Sequence, residues 1–341
     1  MSLDTPAVPE LSAQQRRCHL MLLLFTPSAP VGLCALSRIN RVSPDVSRQD
    51  VADVNHEIAH FHALHITSPT PDEYQLEGSL YDRRQCLIHW LRRALRLTPN
   101  GVETLFIPRL NTCHGHWDTV YHSRQINTLL TDAERPLQRT FSEHNRQFIL
   151  HFLHYCHYQH AHCQHQTGTL HTFAPAQQKW LRQKPEYALA RQLCRSTFGP
   201  LGRERFADEC DFITFILSVI KTYCYSPAAP ESEQRLMGQI ERVIDRVEIL
   251  TGCHFSQRET LRQRLFAHMG AAIERCLFEL KIDNPLLNEI EQLYPGLLSV
   301  TRQALKDLEQ TYGLRIPEEE LCLVAITFGA WLMQEGVVQE K

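Results

Sequence analysis

The sequence is poor in the features that mark most functional classes. It contains no run of 18 consecutive apolar residues, so no membrane-spanning helix is predicted. Its 12 cysteines are spread along the chain without a CxxC pair or a cysteine-dense module, which predicts reduced thiols in a cytoplasmic protein. No HExxH pattern, phosphate-cradling glycine loop or nucleophile–base pair stands out, and an enzyme is not expected; nothing calls for a cofactor. An excess of charge is missing too. Against 38 acidic residues stand 35 basic ones, a formal net charge of −3, which excludes a protein coated in positive charge for bulk nucleic-acid binding.

What is present is helical and rich in histidine. The 341 residues, 43% hydrophobic, suffice for two or three domains with cores of their own. Of the basic residues 29 are Arg, the side chain that forks onto carboxylates and phosphates. There are 19 His, eleven of them between His114 and His171.

Residues 1–10 read as a flexible tail. Ser12 and Gln15 form a capping box opening a helix over 12–25, a short helix follows at 31–39, and Val51, Val54, Ile58 and Phe61 set the period of a third at 48–62. Three helices with a tight joint before the third outline a helix-turn-helix, and 65–78 alternates like two short strands around a Pro/Asp turn. The first domain is placed at 11–78. A basic amphipathic helix at 81–97, carrying Arg83, Arg84, Arg92, Arg93 and Arg96, lies in a connecting segment, 79–104, and reads as a solvated face packing on the next domain or as a source of further phosphate contacts; Pro99–Gly101 is expected to end it. Residues 113–138 resist assignment. Helices are expected at 141–158, 186–198 and 206–223, then a linker at 226–230. Beyond it come helices at 232–251, closed by Gly252, one capped by Ser256 with Glu259 and running to about 280, then 299–312 and 317–334.

The two helical blocks, 105–225 and 231–338, share a faint repeat. Placing Arg191-Gln192 over Arg302-Gln303 also superposes Gly202 on Gly313 and Glu209 on Glu320, an offset of 111. The second block carries His268 with Arg275 on one helix, an N-P-L-L turn at 284–287, a Tyr294-Pro295 break, and acidic residues 318–320 opening an apolar last helix. These ordered features resemble the PTS regulation domain (PRD), a helical module found in tandem in sugar-system regulators. The joint Val42-Ser43 followed by Asp50 and Asn55 is similar to the winged helix of the regulators that carry such domains. The resemblance implies a mainly α protein, with an N-terminal winged helix-turn-helix and two tandem all-helical PRDs, acting as a dimeric transcription regulator.

The resemblance assigns DNA contacts to Asp45, Ser47, Arg48 and Gln49 at the start of the reading helix, with Arg38 and Arg41 available to phosphates. The segment 41–62 is acidic on balance, however, which opposes a polyanion and keeps open a second reading: an interaction protein that docks a phosphocarrier or another regulator without binding DNA. Regulation in the family implies phosphoryl transfer from the histidine phosphocarrier of the PTS to an imidazole. His268 is the candidate here, in balance with a packed core histidine; His151, His154 and His157 are the candidates in the first block. The family's second His falls on Thr327 and on Ile216, neither of which accepts a phosphoryl group as His does. A third reading is a metal-responsive regulator using the cluster 151–165, in which His151 and His154 could share a metal with Cys156 or Cys163. The segment 113–116, Cys-His-Gly-His, is a weaker form of the same idea.

Overall fold

A computed structural model describes residues 10–26, 30–112, 117–162, 173–199, 203–221, 229–282 and 286–336. The described chain is overwhelmingly helical, and it divides into two compact units, Met1–Ile216 and Leu217–Lys341. No helix among the described residues is long and apolar enough to cross a membrane.

The first unit begins with α1 (Ala13–Leu24), which Ser12 and Gln15 cap reciprocally. β1 (Val31–Gly32) comes next, where the sequence predicted a helix; α2 (Leu33–Asn40) starts only after it. Ser43 caps α3 (Pro44–Phe61), with Pro44 at its first position, so this helix begins four residues earlier than its apolar period indicated. β2 (His65–Thr67) and β3 (Glu73–Glu77) form a hairpin, and β1 adds to the other edge of β3, giving an antiparallel sheet of order β1-β3-β2. α4 (Leu80–Leu97) packs its apolar stripe on α1.

Pro99 does not end the helical run after α4. It sits at the first position of α5 (Pro99–Gly101), which continues through a π-helical stretch, Val102–Phe106, into α6 (Ile107–Asn111). Pro108 has no N–H to give the carbonyl four residues back, and the turn before it widens. α7 (Thr119–Leu137) fills most of the unassigned segment; its core stripe is His122, Ile126 and Leu130. α8 (Glu143–His162), α9 (Pro175–Arg182), α10 (Glu186–Phe198) and α11 (Arg203–Val219) complete the block.

The second unit holds α12 (Glu231–Thr251), α13 (Arg258–Leu277), α14 (Leu287–Leu293), α15 (Pro295–Ala304), α16 (Lys306–Tyr312) and α17 (Glu318–Gln334). Gly252 and Gly313 close α12 and α16 at φ 69° and 63°, where a glycine carries no Cβ penalty. Ser256 does not cap α13; its hydroxyl and its N–H both donate to Glu335. The expected helix 299–312 is two helices. The linker residues 226–228, the first half of the N-P-L-L turn (Asn284, Pro285), and residues 113–116 and 163–172 lie outside the described residues.

Candidate functional site

The first turn of α3 is exposed at Asp45, Arg48 and Gln49, and Arg38 and Arg41 of the preceding joint are exposed beside it in sequence. Ser47 leaves this face. It is fully buried, and its Oγ accepts a 2.9 Å bond from Ser37, which ties α2 to α3; it positions the helix and is not available to a ligand. Arg48 is clamped between carboxylates, 2.9 Å from Asp45 and 3.3 Å from Asp72 at the tip of the β2–β3 hairpin. Gln49 is turned to Asp53. The acidity read in the sequence thus acts through geometry: the one cation of this turn is already neutralised.

The basic helix also divides. Arg84 is 1% exposed, contrary to its expected place on a solvated basic face. Its guanidinium grips Glu209 of α11 through two bonds of 2.8 and 3.1 Å, and Nε donates to Gln159 of α8. His160 Nε2 donates to the same carboxylate at 2.6 Å. Burial alone pushes the Glu209 carboxyl up, but the charge of Arg84 and the bonds from His160 and Arg84 outweigh it and hold the pKa down at about 2.

The second unit builds a matching pair. Glu320 of α17, 2% exposed, takes a fork from Arg275 of α13. Seven residues before Arg275 stands His268, which is exposed at the solvent edge of a stripe whose neighbours Leu261, Leu265 and Ala272 are buried. The packed-core alternative for His268 is therefore set aside. Partial desolvation and the nearby Arg275 charge lower its pKa, which favours the neutral imidazole that a phosphoryl donor needs. Thr327 is 7% exposed and Ile216 2%, so both positions where the family's second His is expected lie inside the cores.

The two buried carboxylates occupy aligned positions of the repeat, Glu209 over Glu320. His160 meets Glu209 as Arg275 meets Glu320. His151 and His154 are buried, and burial brings their pKa values to about 4 and about 3. His157 is half-buried and donates from Nδ1 to the Thr197 carbonyl. A phosphocarrier has no access to the two buried rings.

Two histidines of the cluster, His154 and His157, join an aromatic stack. Trp117 is sandwiched between His122 (4.1 Å between centroids, 9°) and His154 (4.5 Å, 7°), with His157 tilted against it at 5.5 Å. Among the described residues no three His, Cys, Asp or Glu side chains are grouped so as to hold a metal ion. Cys163 and His165 lie outside the described residues. Sequence reasoning missed the Trp117–His154 and Arg84–Glu209 contacts because each joins segments far apart in the chain; the one signal was the repeat that aligned Glu209 with Glu320.

Comparison with known proteins places this geometry. The PRD domain model matches residues 241–331, which include His268, Arg275 and Glu320. The chain is 32% identical over 343 aligned positions to the stationary phase-inducible protein CsiE of Escherichia coli, covering 100% of this chain and 79% of that protein. It is 26% identical over 162 residues to the transcriptional regulator ManR of Bacillus subtilis, 47% of this chain and 25% of the relative.

Proposed function

Because the chain belongs to the family of the stationary phase-inducible protein CsiE and carries a PRD domain, we propose that it is a PRD-type transcription regulator of the cytoplasm, acting as a homodimer and controlled through its second helical domain. In this reading residues 11–78 form a winged helix, 79–104 connect it to a divergent first PRD at 105–225, and the second PRD spans 231–338. The element order α1-β1-α2-α3-β2-β3 with its β1-β3-β2 sheet supports the winged helix, and the repeated carboxylate pairs support the tandem domains.

The observation that carries the regulatory half is the exposed, pKa-lowered His268 beside the Arg275–Glu320 pair. Phosphoryl transfer to its ring would add about two negative charges next to a paired guanidinium, enough to change which packing of the dimer is favoured. The test is incubation of the full chain with the phosphorylated histidine phosphocarrier of the PTS. Wild type is labelled and His268→Ala is not; an unlabelled wild type removes this mode of control.

One observation favours a second reading. With Arg48 neutralised by Asp45 and Asp72, the first turn of α3 is a poor phosphate ligand, and the block could dock a protein partner instead. Titration of the full chain with promoter fragments at low salt separates the two: a protein-docking module shows no binding to duplex.

A further inference from the structure

The function proposed above leaves the exposed side of α4 unused. Arg92 and Arg96 stand one turn apart on that helix, about 6 Å along its axis, and both are exposed. Neither has an ion pair or hydrogen bond among the described residues. Elsewhere in the same unit Arg16 and Arg17 are occupied by Asp50 and Asp53, and Arg48 by Asp45 and Asp72; Arg38 and Arg41, at the joint before the reading helix, are exposed as well. Behind the exposed pair, Arg93 is fixed. It lies 2.8 Å from Glu57, stacks over the Trp90 ring at 4.4 Å, and donates to His89 Nε2.

This arrangement has too much positive charge for its own counter-ions. Three guanidiniums fall within five residues of one helix, and Glu57 answers only Arg93. Like charges one turn apart on a helix destabilise it. The exposed cations therefore lie close enough together to act on one oxyanion at short range. Guanidinium forks suit phosphate oxygens.

We propose that Arg92 and Arg96, backed by Arg93, form the face of this protein that grips the phosphodiester backbone of a DNA duplex, and that this face, not the first turn of α3, supplies most of the ionic part of binding. The inference rests on the reading of the chain as a DNA-binding regulator. It assigns two tasks to two elements: α3 offers a neutralised turn with little ionic pull, and α4 supplies the charge that releases counter-ions.

The experiment is a salt titration of the full-length protein on a random-sequence duplex, read by fluorescence anisotropy. Each lost phosphate contact makes the slope of log K against log salt shallower by about 0.9. The Arg92→Ala/Arg96→Ala double variant is expected to lose about 1.8 from the slope, Arg48→Ala to leave it unchanged, and Arg92→Lys/Arg96→Lys to keep it. Both side chains are exposed, and circular dichroism verifies that the variants fold. An unchanged slope in the alanine double variant, with wild type still binding, overturns the inference and leaves the proposed function standing; a lysine variant that behaves like the alanine one overturns it as well. Competition by inorganic phosphate beyond that of chloride at equal ionic strength would assign the face to a small oxyanion and overturn the duplex assignment. Absence of any salt-dependent binding by wild type removes the DNA-binding reading itself, and this inference with it.

Discussion

At the scale of single residues the most consequential group is Glu209, a carboxylate with no exposed surface that is kept ionised by Arg84 and His160. Such a pair adds little net stability compared with apolar residues of the same volume, yet removing one partner strands a charge in the core. Arg84→Met leaves Glu209 with His160 alone and is expected to cost about 3–5 kcal/mol, read from the urea midpoint at constant m-value. Combining it with Glu209→Gln should recover a large part of that loss. A single variant that costs under about 1 kcal/mol, or a double variant whose effects simply add, contradicts the description of this pair as a coupled buried unit. Arg84 reaches from α4 to α8 and α11, so the same measurement tests how firmly the N-terminal block is joined to the helices that follow it within the first unit.

At the scale of elements, the junction of α1, α2, α4 and α5 turns on one close approach. His19 Nδ1 donates to Asn40 Oδ1, which leaves Nε2 to accept from Thr98 Oγ1, both at 2.8 Å. A Cβ on Gly101 would stand 2.7 Å from that Nε2 and 2.8 Å from that Oγ1. Helix propensity alone favours Gly101→Ala by about 1 kcal/mol, whereas displacing packed core groups costs about 1–3 kcal/mol. The variant is therefore expected to be destabilised, with a lower melting temperature; a stabilised variant would show that the contact yields freely. None of this was legible in the sequence, where Gly101 read as a helix stop. Elements with an apolar period and end signals were legible: α1 from Ser12 and Gln15, α12 from Gly252, α17 from its acidic opening. β1 was not, because two residues carry no periodicity, and α7 was not, because His122 occupies its core stripe and reads as polar. The resemblance to the PRD singled out His268, but its exposure depends on helix packing that no spacing reports. Arg84 was misplaced for the converse reason: its partner Glu209 lies 125 residues away, and only a fold brings the two together.

At the scale of the whole molecule, the two units should respond differently to acid. The first buries neutral imidazoles: His62, His151 and His154 have pKa values pushed to about 4, about 4 and about 3, chiefly by burial. In the unfolded chain a histidine titrates near 6.5. The unfolded state thus binds protons that the folded state refuses, so this stability is fully present above about pH 6.5 and is lost as the pH falls toward 4 and then 3. At pH 5.5, one unit below the unfolded value, each of His151 and His154 withdraws about 1 kcal/mol. In the second unit the shifted histidine is His268, which is exposed, and the depressed carboxyls Glu259 and Glu335 lose their contribution only below about pH 4.5. Between pH 7.5 and 5.5, hydrogen exchange followed by mass spectrometry should therefore show protection falling in peptides of α7 and α8 while those of α12, α13 and α17 hold theirs. Unchanged protection in α7 and α8 over this range would mean that His151 and His154 are hydrated in solution and do not resist protonation. If the sets diverge, mild acid loosens the block that contains the His122–Trp117–His154 sandwich and leaves intact the unit that carries His268.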